Sequence, residues 1–513
     1  MLQFVCFVDL QKAYDTVQHE LLWGRLQVIG VGPQMLAAIQ ALYSSGTLSM
    51  KIAGAAGPAR TQQNGVRQGC PLSPTLFGIF FDRLHDHLHS QLPHDGIWLD
   101  SGRWVSSVIY ADDVVLLSWS SPGLQHLLNS MEDFCSHLGL TISSSKTEVV
   151  VFNGSSADTC FLGEHALPRS TTFKYLGLIF HESGDMSHAF ARLAQNGKGA
   201  LVRLREKFKK LMCDTSFPMM RRLFDAVVLP TVSYASEVWA PQCSKPLGSE
   251  LRAMMSIQIT FFRQLCHLRK GVSSHIIFKE FAEQPWLHTW WSRVLGFMHR
   301  LSQMPEDSLH LDVLKDNLYD AQQPSHCINW AKGISKQFRT LGLPSPFSAT
   351  GIGSINSQEF RAALTKRQQR IWENVAESPR TAPSKGAKLC TYHRWFSPPD
   401  RLHFAPYYQL PMPITKLRAL LQFRVGSHAW PVEQGRFARP PIPRNLHRCT
   451  LCSTRSIGDE RHYLFECPHF DEIRAQYVDL FDSSANAMRS FVWQKDQQAV
   501  CDCMTAVIRL AET

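Results

Sequence analysis

Two sets of side chains in this sequence have types and spacings that could do chemistry. The first is three carboxylates. Asp9 stands at the end of the apolar run FVCFVDL (4–10), and Asp112 and Asp113 lie between the runs WVSSVIY (104–110) and VVLLSW (114–119). An acid at the end of a buried strand is costly unless it is paired, hydrogen-bonded or bound to a cation. Acids from separate strands converging at one sheet edge would suit two Mg²⁺ ions, which take hard oxygen ligands and leave room for phosphate. Taken alone, an Asp-Asp pair is also ordinary turn chemistry. The second set is Cys449-x2-Cys452-x9-His462-x4-Cys467. Three thiolates and one imidazole make a closed tetrahedral Zn²⁺ site. His447 and His469 are rival ligands, and reduced cysteines in a small core are the plain alternative. Arg436, Arg439, Arg444, Arg448, Arg455 and Arg461 flank the cluster and would suit phosphate contacts. Cys501 and Cys503 are too close together to complete a second site.

Positioning these groups falls to short strands and amphipathic helices. The runs 104–110 and 114–119 read as a hairpin closed by Ala-Asp-Asp. EVVVF (148–152) and TFKYLGLIF (172–180) read as further strands. Ser73-Pro74 reads as the N-cap and first residue of a helix carrying Phe77, Phe80, Phe81, Leu84 and Leu88 on one face. Leu127, Leu128, Met131, Phe134, Cys135 and Leu138 mark another. This interleaving predicts an α+β fold, a sheet backed by helices. His85, His87 and His89 read as a polar helix face, with no acid or thiol to complete a metal set. Trp286, Trp290 and Trp291 fall at helical spacing beside Leu287, Val294 and Leu295, which favours core packing over base stacking.

The neighbours of the acids carry a resemblance. Tyr110-Ala111-Asp112-Asp113 resembles the YADD box of reverse transcriptases, and FVDLQKAYDTV (7–17) resembles their motif A. NGVRQGCPLSPTLF (64–77) resembles motif B, GLTISSSKTE (139–148) motif D, and FKYLG (173–177) the primer-grip motif E. The five stand in the family's order. The likeness is to non-LTR (LINE-type) retrotransposon reverse transcriptases; it covers 1–182 and continues loosely through LPTVSYASEVWAP (229–241). The cysteine cluster resembles the C-terminal CCHC zinc-binding segment of those proteins.

That resemblance implies a right-hand polymerase palm, an antiparallel sheet backed by helices, that adds deoxynucleotides to a primer 3′-end with RNA as template. It implies that Asp9 and Asp112 hold two Mg²⁺ ions, that the Leu10 carbonyl completes one metal's shell, and that Asp113 shapes the field. Tyr14 matches the aromatic gate against a 2′-hydroxyl, and Gln68 and Gly69 match the pair that meets nucleotide and template. Lys146 matches a lysine that protonates pyrophosphate, with an exposed surface lysine as the alternative; Tyr175 and Gly177 match the primer grip. The implied partners are an RNA template, a DNA primer or target DNA, and dNTPs. One Zn²⁺ would be structural, on Cys449, Cys452, His462 and Cys467. Motif A starts at residue 7, whereas the family's fingers, and in many members an endonuclease, lie upstream. The expectation is an incomplete polymerase that binds duplex through the basic stretch 192–222 and extends it poorly. A retroelement remnant that binds nucleic acid without catalysis, and a group II intron-type enzyme, are the alternative readings.

Length and composition fit this division. The 513 residues suggest three or four domains, and 44% hydrophobic residues suffice for real cores. No apolar run reaches the roughly 18 residues that span a bilayer. The N-terminus lacks a basic region and carries Asp9, unlike a signal peptide, and the fourteen cysteines are mostly scattered. The expectation is an intracellular protein, nuclear or cytoplasmic, with no membrane partner. Net charge is +10, but residues 1–150 hold eight basic against twelve acidic residues, so the remainder carries +14. Nine of those basic residues fall at Arg192, Lys198, Arg203, Arg205, Lys207, Lys209, Lys210, Arg221 and Arg222, against Glu206 and Asp214. The segments expected are a palm over 1–182, a helical thumb-like region over 183–300, a connection with helical pieces over 301–410, and a zinc module over 411–513. The connection is set apart by Pro344, Pro346, Pro379, Pro383, Pro398 and Pro399.

Overall fold

The computed structural model describes residues 3–377 and 410–512, with Tyr392 and Phe396 between them. Short stretches inside those ranges are excepted: 45, 50, 53–54, 59, 62, 155, 208–214, 245–248, 324–328, 349–350, 354, 439, 441 and 483–485. Lys209, Lys210, Asp214, Pro379, Pro383, Pro398, Pro399 and Arg439 therefore lie outside the described residues. Two compact units form. One comprises 1–189, 301–332 and 347–352; the other comprises 190–300, 333–346 and 353–513.

The first unit is built on a four-stranded antiparallel sheet. Its strands are β1 (Gln3–Asp9), β2 (Ser107–Tyr110), β3 (Asp113–Ser118) and β4 (Glu148–Phe152), in the order β4-β1-β3-β2. Successive strand residues point to opposite faces, so the two faces have separate cores. Phe4, Cys6 and Val8 of β1 and Val114 and Leu116 of β3 face a large core shared with α1 (Ser73–Phe81) and α2 (Ser121–His137). Val5, Phe7 and Val115, with Val150, face a smaller core covered by Phe173 and Tyr175. The covering piece is a hairpin of β5 (Thr172–Tyr175) and β6 (Leu178–His181).

Three local readings change in the structure. The apolar face from Phe77 to Leu88 is buried as expected, but two helices carry it, Ser73–Phe81 and Leu84–Gln91. The run 104–110 divides at the buried Ser106: Trp104–Val105 pairs with Ile97–Trp98, and only Ser107–Tyr110 pairs with β3. The run 172–180 is a hairpin, turned at Leu176 and Gly177, which take φ of 45° and 84°. Positive φ at both turn residues matches the twist of paired strands.

The second unit is helical. Trp286, Trp290 and Trp291 are buried in it, as their spacing predicts. The helix Ile414–Arg424 packs with Gln497–Glu512, whose Cys501 and Cys503 are buried. Arg424, completely buried, meets the equally buried Glu280 at 2.5 Å, and the Tyr392 hydroxyl donates to the same carboxylate at 2.6 Å. Residues from 183–300 and 411–513 thus share one core, and 301–332 packs within the first unit, so the compact units cut across the four chain-order segments. Among the described residues no helix is long and apolar enough to cross a membrane.

Candidate functional site

Asp9 is the last residue of β1 and is the register partner of Asp113, the first residue of β3. By strand alternation both stand on the face that carries Phe7, the face covered by β5 and β6. Asp112 precedes Asp113 in the turn, beside Ala111, whose φ of 55° is left-handed and costly for a residue with a Cβ. Burial, then the charges of Asp112 and Asp9, hold the Asp113 carboxyl above its ordinary range. Lys146 Nζ lies 3.5 Å from Asp9 Oδ2.

The end of β1 is held from outside the sheet. The Asp9 amide donates to Thr147 Oγ1 at 3.2 Å, and the Asp9 carbonyl accepts from the Ser143 amide at 2.8 Å. Leu10 bridges Ile142. The segment 141–147 therefore fixes where Asp9 points and also presents Lys146. Sequence reasoning found Lys146 and missed Ser143 and Thr147, because nothing in a Ser/Thr-rich stretch marks which hydroxyl meets a distant strand.

Tyr14 stacks on Phe77, with ring centroids 5.0 Å apart. Burial and then the charge of Asp112 push its phenol up. Tyr14, Gln68, Gly69 and Cys70 line one cavity of about 480 Å³ with Pro71, Ser73 and Pro74. The loop 64–72 is tied to the chain after β1: the Val66 amide donates to the Tyr14 carbonyl and the Gly65 amide to the Val17 carbonyl, both at 2.7 Å. A Cβ on Gly65 would lie 2.7 Å from the Asp15 carbonyl oxygen. Gly69 has open space around it and is required for its φ of 83° instead. Hydrogen bonding from the Leu72 backbone holds the Cys70 thiol below its usual range.

On the sheet face that carries Asp9 and Asp113, Phe7 stacks on Phe173 at 4.0 Å and meets Tyr175 at 5.7 Å. Burial first, and then Asp113, raise Tyr175. The structure thus gathers Asp9, Asp112, Asp113, Tyr14, Lys146 and Tyr175 around one end of one sheet.

Residues 2–180 match the family model described as Reverse transcriptase (RNA-dependent DNA polymerase). This segment is similar to reverse transcriptases. The chain is 30% identical over 193 residues to the Pol polyprotein of the type-2 retrotransposable element R2DM of Drosophila melanogaster, covering 35% of this chain and 18% of that protein. It is 24% identical over 288 residues to an R2 Pol polyprotein of Popillia japonica, covering 52% of this chain and 44% of that protein. The chain therefore spans less than half the length of these relatives. Among solved structures, apo telomerase from Candida tropicalis aligns at 14% identity and a TM-score of 0.30, covering 58% of this chain and 50% of that one.

Beyond the reverse-transcriptase-like segment, the second unit holds the cysteine cluster. One ligand atom from each of Cys449, Cys452, His462 and Cys467 can be chosen so that all four lie within 4.8 Å of one another. Cys449 Sγ is 3.9 Å from Cys467 Sγ, and Cys452 Sγ is 3.4 Å from His462 Nε2. The Leu451 amide points at Cys449 Sγ at 3.4 Å, and the His462 amide donates to Asp459 Oδ1 at 3.0 Å, so backbone turns set both halves. Burial opposes ionisation of Cys452, but hydrogen bonds from Thr454, Cys449 and His462 together hold the thiol at about 6; burial pushes Cys467 up to about 12. Of the rival ligands, His469 is exposed and His447 Nε2 is engaged with the Ile442 carbonyl at 2.8 Å.

Proposed function

We propose that this chain is the polymerase portion of a non-LTR retrotransposon reverse transcriptase, adding dNTPs to a DNA primer or nicked target DNA on an RNA template. The observation that carries the reading is the pairing of Asp9 with Asp113 on one sheet face, with Asp112 in the adjoining turn and the Tyr14–Gly69 cavity within its electrostatic reach. The raised Asp113 carboxyl and the Lys146 ammonium drawn to Asp9 both mark a cluster of negative charge that favours a cation. Hard carboxylate oxygens fit Mg²⁺. When bound by Asp9 and Asp112, with the Leu10 carbonyl beside them, two Mg²⁺ ions would acidify the primer 3′-hydroxyl and offset charge developing on the phosphate.

The chain's own residues do the positioning. Tyr14, braced by Phe77, walls the cavity where the sugar would lie and excludes a 2′-hydroxyl by size. Gln68 and Gly69 meet the nucleotide and template across the same cavity. Lys146 is exposed, and its ammonium beside Asp9 would deliver a proton to departing pyrophosphate. Tyr175 and Gly177, in the hairpin over the acids, hold the primer end. The quartet Cys449, Cys452, His462 and Cys467 offers the sulfur and nitrogen donors of a structural Zn²⁺, which would pin its loops together.

The test is single-nucleotide extension of a primer on RNA by the 513-residue chain. Extension should require Mg²⁺ and fall at least about 10³-fold in Asp112→Ala and Asp9→Asn with duplex binding retained. Equal extension by Asp112→Ala would remove the site. Duplex binding with no extension, by the unaltered chain and by a version lengthened with upstream fingers residues alike, would establish the binding-only alternative.

A further inference from the structure

A second convergence of metal-binding side chains lies in the helical unit, apart from the cysteine quartet. His428, Glu433 and Glu460 are 3%, 1% and 4% exposed, and one ligand atom from each lies within 4.8 Å of the others. They come from three pieces of chain. His428 follows the helix Ile414–Arg424, Glu433 is in the first turn of Pro431–Phe437, and Glu460 stands two residues before His462. His428 Nε2 is buried and reaches Glu460 Oε1 only at 3.5 Å, a long contact for a buried ring nitrogen. A buried ring nitrogen in that position is costly unless something satisfies it.

We propose that His428, Glu433 and Glu460 form a second Zn²⁺ site. An imidazole among the ligands disfavours Mg²⁺ and Ca²⁺, while one His and two carboxylates suit Zn²⁺ at about 2.0–2.2 Å. Ligation through Nε2 places the ring proton on Nδ1. The contact given up is then the long one from the Trp430 amide to Nδ1, at 3.4 Å. The ring itself is already oriented, tilted against Trp430 with centroids 4.4 Å apart, and Trp430 stacks in turn on Tyr463 at 4.7 Å. The ion would fasten three segments where the quartet fastens only 449–467.

The site does not depend on the polymerase reading, and metal counting tests it. The full chain, purified with Zn²⁺ present and desalted, should carry two zinc ions by elemental mass spectrometry. Glu433→Gln should carry one, while Cys449→Ser should lose the thiolate-bound ion and keep the other. With Co²⁺ replacing Zn²⁺, Glu433→Gln should retain the sulfur-to-cobalt charge-transfer band, and Cys449→Ser should lose that band but keep visible d–d absorption. Should Glu433→Gln unfold by circular dichroism, His428→Gln gives the same reading. The wild-type count stands without either variant. Fewer than two zinc ions in the unaltered chain, or two retained by a folded Glu433→Gln, would overturn the proposal.

Discussion

Asp113 makes the site's electrostatics measurable one residue at a time. Its carboxyl is raised above 3.8 by burial and by Asp112 and Asp9. The folded chain then keeps a proton the unfolded chain has released, so this group's contribution to stability is complete below 3.8 and is lost as pH rises through the raised value. Denaturation without Mg²⁺ should show Asp113→Asn gaining on the wild type across that window and holding its advantage at neutral pH. Added Mg²⁺ should narrow the gap, and a gap independent of pH would detach Asp113 from the cluster. Tyr14 has a separate readout. Tyr14→Ala should relax rejection of ribonucleotides by about 10- to 100-fold, the scale of one misfitted group in a pocket. Unchanged rejection would take Tyr14 out of the gate.

Elements place these residues, and their contacts were legible to different degrees. Both acids, the strands bearing them and the faces of the α1 and α2 helices follow from periods of 2 and 3.6 that the residue types spell out. The Leu176-Gly177 turn does not, because Leu is a poor residue for positive φ and nothing like Asn-Gly announces it. At Ser106 one pairing ends and another begins, within a stretch whose strand-like pattern reads as continuous. The docking of loop 64–72 on the chain after β1 is likewise tertiary, yet Gly65 carries it. Gly65→Ala should cost about 1–3 kcal/mol, because its φ of 90° is strained for a residue with a Cβ and that Cβ would strike the Asp15 backbone. Urea denaturation of the two proteins would read the difference directly, and an unaltered midpoint would mean that the loop changes both its backbone angle and its docking.

At the scale of the molecule, the Glu280–Arg424 pair ties the helical unit across 144 positions of sequence. Arg424→Ala should cost about 3–5 kcal/mol, since it removes the buried carboxylate's cation and leaves it the Tyr392 hydroxyl. Replacing both residues together, Glu280→Leu with Arg424→Met, should recover most of that loss. A double variant no better than the single one would show that Tyr392 and the Phe396 carbonyl, not the ion pair, set the cost. Chain order could not predict such a unit, because its partners are far apart and each helix looks self-sufficient. The first unit is interrupted in the same way. Arg103 meets Asp312 at 2.9 Å, and the Asp100 amide meets Asp316 at 3.0 Å. On a ribosome these partners are separated by the whole of 190–300, which takes roughly 6–20 s to emerge at about 5–20 residues per second. The sheet bearing the acids can form early, but the edge at 100–103 must wait exposed until 301–332 arrives. A pause in translation within 190–300 should therefore lengthen the time that nascent chains are vulnerable to protease at that edge, and a pause after residue 352 should not.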